Sequence, residues 1–283
     1  MSEPAVLRPT ATSVGAALRD ATTRLLASSG TPRLDAELLL AEVLGWRRER
    51  LILDRDRPLD RADIERFNDL LARRQAREPI AYILGRREFR YLTLTVDRRV
   101  LIPRPETELL VEAALGLAPG ASVLDVGTGS GAVALALKHE RPDLEVAGRD
   151  ISADAVTVAR ANATALNLDV SFTVGDLLGE MRADAVLANL PYVPDGAELI
   201  DDVGRYEPAR ALRGGADGLD PIRRLTGIIA SRPPAARPAL LALEIGADQG
   251  PMVAALVATA GYATVRVQTD LAGLDRLVIG SVR

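Results

Sequence analysis

The stretch Val123-Leu124-Asp125-Val126-Gly127-Thr128-Gly129-Ser130-Gly131 decides the fold. Its first four residues form an apolar run broken only by Asp125, which reads as a buried strand. Glycines at alternate positions follow, and a helical pattern covers Ala132–His139. Strand, glycine turn and helix in that order begin a βαβ unit in which the backbone passes close to a ligand. Gly127, Gly129 and Ala132 also fit the dinucleotide pattern G-x-G-x-x-G/A. Asp150 closes the next strand, at the ~20-residue spacing expected of an acidic residue that takes ribose hydroxyls. Ser152 is the better cap for the helix that follows, which keeps Asp150 free for that role. Asp176 and Leu177 follow the third strand, where side chains border an adenine ring. The cofactor set is thus Gly127, Thr128, Gly129, Ser130, Gly131, Asp150, Asp176 and Leu177, with Asn189 closing it from the fourth strand.

Outward from this turn, strands and helices alternate. The predicted strands are Ser122–Val126, Glu145–Arg149, Val170–Val174, Ala183–Ala188, Ala239–Ile245, Thr264–Gln268 and Arg276–Ile279. The predicted helices between them are Ala132–His139, Ala153–Leu166, Pro221–Ser231 and Gly250–Thr259. Alternation of this kind implies an α/β fold, with a mainly parallel sheet covered on both faces. The last two of the seven strands are expected to pair antiparallel.

Upstream the pattern is helical. Val14, Leu18, Ala21 and Leu25 mark a helix over 13–29 with Thr12 or Ser13 as cap and Gly30 as stop. A second begins near Pro32 and stops before Gly45, and a third runs from about Asp60 to Arg77. Glu78–Gly85 reads as a connecting helix. Phe89, Tyr91, Leu92, Leu94 and Val96 then alternate as a β-hairpin does. The expected organisation is a helical domain over 1–86, which either caps the fold or docks a macromolecule, a hairpin linker over 87–100, and an α/β domain over 101–283. Pro103 and Pro105 stiffen the entry to that domain.

Composition narrows the chemistry. There is no cysteine, so disulfides and thiolate chemistry are excluded; the single histidine, His139, argues against a histidine metal site. The net charge of −4 gives no support for direct nucleic-acid binding. Lys138 is the only lysine, a base-composition bias that weakens any claim for a particular arginine. Met1 to Thr12 lack a signal-peptide pattern, and no run approaches the ~20 apolar residues of a membrane span. A cytoplasmic monomer without a membrane partner is the simplest expectation.

Asn189-Leu190-Pro191-Tyr192 ends the apolar run Ala185-Val186-Leu187-Ala188. A polar amide followed by proline and tyrosine is a poor continuation of a strand. It presents a hydrogen-bonding group and an aromatic wall at the sheet edge where ligands bind. Two cofactors suit the glycine loop, a nicotinamide dinucleotide and S-adenosylmethionine. Hydride transfer has no need of an amide clamp, whereas transfer to a planar nitrogen does. A non-catalytic binding module has little use for both the ribose carboxylate and the clamp.

Here the residues resemble a known family. Asp125 to Gly131 look like the cofactor motif of class I S-adenosylmethionine-dependent methyltransferases, whose sheet is Rossmann-like and seven-stranded. Asn189-Leu190-Pro191-Tyr192 is similar to the Asn-Pro-Pro-Tyr motif of those that methylate planar nitrogen. Leu101 to Glu108, Glu78 to Gly85, Glu207-Pro208, Gly214 to Leu219, and Leu243-Glu244-Ile245-Gly246 with Gln249 resemble the peptide-chain release factor glutamine methyltransferases. The resemblance implies methylation of the glutamine amide in the Gly-Gly-Gln tip of release factors, with S-adenosylmethionine as methyl donor and no metal. It makes Asn189, Leu190, Pro191 and Tyr192 the catalytic set: the Asn189 side-chain oxygen and the Leu190 carbonyl accept the two amide N–H bonds, and Tyr192, with Pro191, walls the flat group. Leu190 departs from the family's proline, restoring an N–H and releasing a φ restraint. A rival reading keeps the chemistry and changes the acceptor, to an adenine amine or another protein glutamine.

Overall fold

The computed structural model describes residues 12–282. The reading of Met1 to Thr12 as lacking a leader therefore falls, but for Thr12, outside the described residues. The chain divides into two units, 1–84 with 201–206, and 85–200 with 207–283.

The first unit is helical. Val14–Leu25 starts at Ser13, whose side chain accepts from the Ala16 N–H at 3.3 Å. That helix stops at Leu25, short of the Gly30 stop read from sequence. Pro32–Leu44 ends at Gly45 as expected, and Arg61–Gln75 is capped by Asp60, which accepts from Asp63 N–H at 2.7 Å. Arg48–Leu53 is a helix that no apolar periodicity announced, because Leu51 is its one buried residue. Ile80–Leu84 is the short helix placed within Glu78–Gly85. Leu25, Leu39, Leu40, Leu51, Phe67 and Leu71 form the core. Arg74 is buried in it, paired at 2.7 Å with both Asp35 and Asp202. A buried guanidinium is tolerated only when paired, and Asp202 reaches it from a segment that the sequence assigned to the 101–283 domain.

Among the described residues, the second unit holds nine strands. β1 (Arg86–Phe89) and β2 (Leu92–Thr95) form the hairpin. β3 (Ser122–Val126), β4 (Glu145–Asp150), β5 (Ser171–Val174), β6 (Ala185–Ala188), β7 (Leu240–Glu244), β8 (Thr264–Thr269) and β9 (Asp275–Ser281) form one sheet in the order β5-β4-β3-β6-β7-β9-β8. The hairpin, read as a linker, packs into this unit: Phe89, Leu92 and Leu94 share a core with Leu110 and Leu135. β8 and β9 pair antiparallel as expected, and β9 also inserts antiparallel against β7. The seventh strand thus lies between β7 and β8, an arrangement that periodicity does not reveal.

Consecutive side chains in β6 point to opposite faces, as a strand requires. Ala185 and Leu187 join the core under the helices Glu108–Ala114 and Ala132–Glu140. Val186 and Ala188 join the core under Asp220–Ser231 and Gly250–Thr259. Burial on both faces explains why β6 reads as a continuous apolar run. The chain builds outward from β3 through β4 to β5, then returns to lay β6 on the other side of β3. That reversal is a topological switch point, where a crevice opens at the carboxyl ends of the strands.

Candidate active site

β3 and β6 are parallel and in register, with Val126 opposite Ala188. The glycine loop therefore begins at Gly127 beside the point where the clamp begins at Asn189. A cavity of about 750 Å³ opens there, lined by Gly127–Ser130, Asp150, Asp176, Leu177, Asn189, Leu190 and Pro191. The cofactor and clamp residues read from sequence are thus brought to one crevice, with two exceptions: neither Gly131 nor Tyr192 is among the lining residues.

The loop's shape comes from its own backbone. Gly127 and Thr128 N–H both donate to the Arg149 carbonyl, at 2.8 and 3.1 Å. Gly129 has φ +56°, and a Cβ built on it would meet no protein atom within 4 Å. The cradle is therefore open on the side where a side chain would project. Asn162 ties the loop to the hairpin: its amide donates to the Ser130 and Thr95 carbonyls and accepts from Thr95 N–H. Asp150 is more engaged than the sequence suggested. Ser152 does cap the next helix, accepting from Ala155 N–H at 3.3 Å. Asp150 nonetheless accepts from Gly129 N–H at 2.9 Å and from Ser152 N–H at 2.8 Å. A carboxylate has about four lone-pair sites, so two bonds lock its plane and leave capacity for hydroxyl donors. Asp176 forms an ion pair with Arg224 at the cavity rim. Leu177, at φ +42°, holds the wall in a backbone conformation that side chains resist.

Asp125, beneath the loop, is buried and accepts from the Thr128 hydroxyl at 2.6 Å. Burial pushes its carboxyl up to about 7, against the hydrogen bonds from Thr128 and the Ala134 backbone.

The clamp is shaped by residues from elsewhere in the chain. The Asn189 amide donates from Nδ2 to Thr107 Oγ1 at 3.1 Å, which leaves Oδ1 outside that bond. Leu190 is 5% exposed, its side chain packed with Leu124, Val126 and Leu178. Apolar burial thus anchors the position where the family pattern has a proline ring. The Tyr192 hydroxyl donates to Glu244 Oε1 at 3.4 Å. Burial and the neighbouring Glu244 charge push that phenol up to about 12. The Tyr192 carbonyl accepts from Gln249 Nε2 at 2.9 Å, and Gln249 Oε1 accepts from Gly246 N–H at 2.9 Å. A Cβ on Gly218 would lie 2.2 Å from the Tyr192 carbonyl, and one on Gly214 2.4 Å from the Pro191 carbonyl. The Gly214–Gly218 turn is glycine-rich because it lies directly on the clamp backbone. Upstream, Glu207 is buried, accepts from Ile102 N–H at 3.1 Å and pairs with Arg104. That fixes the Pro103–Glu108 segment that delivers Thr107.

Sequence reasoning gave no role to Thr107, Glu244 or Gln249, although all three lie in quoted motifs. One signal was available: Glu244 is a carboxylate ending the apolar run Leu240-Leu241-Ala242-Leu243, and a buried charge in such a place needs partners. Among the described residues, no group of three or more His, Cys, Asp or Glu is placed to hold a metal, and no helix is long and apolar enough to cross a membrane.

Residues 16–85 match the PrmC N-terminal domain, and residues 105–205 match the methyltransferase small domain. The chain is 40% identical over 262 residues to a release factor glutamine methyltransferase of Rhodospirillum rubrum, covering 89% of this chain and 79% of that protein. It is 44% identical over 271 residues to that of Moorella thermoacetica, covering 89% and 93%. Among solved structures, a methyltransferase from Pyrococcus furiosus matches 67% of this chain and 88% of its own, at 16% identity and a TM-score of 0.50. The catalytic domain of hMettl16 matches 74% and 82%, at 14% identity and a TM-score of 0.56. These two show the fold alone.

Proposed function

Because this chain belongs to the release factor glutamine methyltransferase family, we propose that it methylates the side-chain amide nitrogen of the glutamine in the Gly-Gly-Gln motif of peptide-chain release factors, in the cytoplasm and as a monomer. One observation carries the reading to this chain's own residues. The Asn189 amide is turned by Thr107 so that its oxygen is left for the substrate. An oxygen at that point accepts from a substrate N–H, and a planar primary amide has two to give.

S-adenosylmethionine, when bound, supplies an electrophilic methyl group. The open cradle at Gly129 and the locked Asp150 carboxylate suit it: Gly127–Ser130 would hold its amino-acid end and Asp150 its ribose hydroxyls, with Asp176 and Leu177 beside the base. A glutamine amide is a weak nucleophile, since its lone pair is delocalised into the carbonyl. The protein's levers are therefore position and charge. Asn189 Oδ1 and the Leu190 carbonyl accept the two N–H bonds and fix the nitrogen's direction. Both oxygens carry partial negative charge, which stabilises the positive charge that develops on nitrogen as it loses planarity. Pro191 borders the flat amide, and Tyr192 fixes the loop from the side facing Glu244. No side chain is assigned as general base; the proton leaves after transfer.

The test is incubation of the protein with methyl-labelled S-adenosylmethionine and either purified release factor, a Gly-Gly-Ala variant of that factor, or nucleic acid. Label is expected on the first alone. Label on nucleic acid, or on the Gly-Gly-Ala variant, removes the reading.

A further inference from the structure

Glu244 is buried, yet no step above uses it. It ends β7, next to β6 in the sheet, with Leu243 opposite Ala188, the residue before the clamp. Its carboxylate stands behind the clamp, between two hydroxyls. Tyr192 OH donates to Oε1 at 3.4 Å. The Thr107 hydroxyl is its other hydroxyl neighbour, and the buried Oε2 has no hydrogen-bond partner.

The direction of these bonds follows from elementary donor counting. Thr107 Oγ1 accepts from Asn189 Nδ2. Its single hydrogen must then point away from Asn189, toward an acceptor. A carboxylate offers acceptors only, at both oxygens: Oε1 takes the Tyr192 hydrogen, and the unpartnered Oε2 is the acceptor open to that of Thr107. The chain of donors runs one way, from the Asn189 amide through Thr107 to Glu244. Reversing it would put the Asn189 amide nitrogen, a donor, where the substrate's N–H must be accepted.

We propose that Glu244 is the positioning residue that sets which end of the Asn189 amide faces the substrate, acting through Thr107, while the same carboxylate holds Tyr192. The proposal rests on the amide-methylation reading. Glutamine in its place can accept at one end only, so one hydroxyl must turn around. The charge state matters for the same reason, because a protonated Glu244 becomes a donor. Burial and Glu106 push this carboxyl up to about 7, while Thr107, Tyr192 and Arg276 pull it down. Arg276, on β9, is itself paired with Asp270 at 2.9 Å. Methyl transfer is therefore expected to fall as pH drops below about 7, where the one-way chain loses its acceptor.

The experiment compares Glu244→Gln, Thr107→Val and Thr107→Ser with wild type, measuring kcat, KM, cofactor affinity and the side-chain amide resonances of Asn189. Glu244→Gln and Thr107→Val should each lower kcat about tenfold, with cofactor affinity changed less than about twofold. Thr107→Ser keeps the hydroxyl and should keep the rate. The acid limb of the pH profile should vanish in Glu244→Gln, and the Asn189 resonances should lose their pH dependence. Wild-type kcat with an unchanged pH profile in Glu244→Gln overturns the proposal; so does a loss in Thr107→Val that Thr107→Ser shares. If the wild-type protein does not methylate release factor, the function reading fails separately. The Asn189 resonances still decide this one: if they are the same in wild type and both Glu244→Gln and Thr107→Val, Glu244 does not orient the amide.

Discussion

The glycine loop and the clamp leave neighbouring strands at the same level, Val126 opposite Ala188, yet they are built in opposite ways. The loop over Gly127–Gly131 is shaped by its glycine backbone angles and by N–H bonds from its own backbone to the adjacent strand, at the Arg149 carbonyl and the Asp150 carboxylate. The clamp over Asn189–Tyr192 contains no glycine and is shaped from outside, by Thr107, the Gly214–Gly218 turn, Glu244 and Gln249. Under the proposed function, the loop's short local code serves the cofactor, while the clamp, locked by several elements, serves to position the acceptor nitrogen.

The contrast breaks most sharply at Asn189. Asn189→Ala is expected to lower kcat/KM about a hundredfold or more, since it removes an acceptor from the reacting amide. Calorimetry should find cofactor binding retained within about severalfold. Near-wild-type turnover would remove Asn189 from the clamp.

Two glycines sharpen it next. Gly218→Ala drives a methyl toward the Tyr192 carbonyl at φ +79°. It should cost about 1–3 kcal/mol of stability and about tenfold in kcat, leaving the cofactor site intact. Gly129→Ala, with no protein atom in the way, should cost about 1 kcal/mol and weaken cofactor binding instead. Equal effects of the two on cofactor affinity would contradict separate construction.

Asp150→Ala comes third. It should weaken cofactor binding about tenfold, the size of a hydrogen bond to a charged group, with the Asn189–Thr107 bond unaffected. Unchanged affinity by calorimetry takes Asp150 out of the ribose role.

The smallest effect is on stability. Asp125 and Glu244 are both held up at about 7, well above their ordinary carboxylate values. Between those ordinary values and about 7, the folded chain binds more protons than the unfolded one. Stability therefore falls as pH rises through that window and levels off above it. The groups held low, such as Asp97 and Asp184, act below the window, so they do not mask it. Thermal unfolding should occur at a lower temperature at about pH 8 than at about pH 5.5, with a smaller drop in Glu244→Gln, where one of the two titrations is gone. A melting temperature that rises across this range would refute the assignment.

What was legible follows from what is local. The helices Ala153–Leu166 and Gly250–Thr259 are bounded as their periodicity indicates, and β3 as its apolar run does. The helix Arg48–Leu53 was not legible, because one buried leucine makes no pattern. Nor was the placing of 201–206 in the helical unit, which depends on Asp202 meeting Arg74. In the site, Gly127–Ser130, Asp150 and Asn189–Pro191 line one cavity as their motifs suggested. Thr107 carried no local signal, and Glu244 only that of a carboxylate ending an apolar run, since the partner of each is far away in the chain.

By itself, the sequence determined that strands and helices alternate into a two-faced sheet, that one strand ends in an open glycine turn, and that another ends in an amide. Those features depend on neighbours in the chain, whose sterics and apolar spacing act over a few residues. Only the tertiary structure decided that β9 inserts beside β7, that Tyr192 turns its hydroxyl to Glu244, that Leu190 is packed as core, and which way the Asn189 amide points. Each is a competition for a partner, settled by whichever group the packed sheet brings within hydrogen-bond or van der Waals reach.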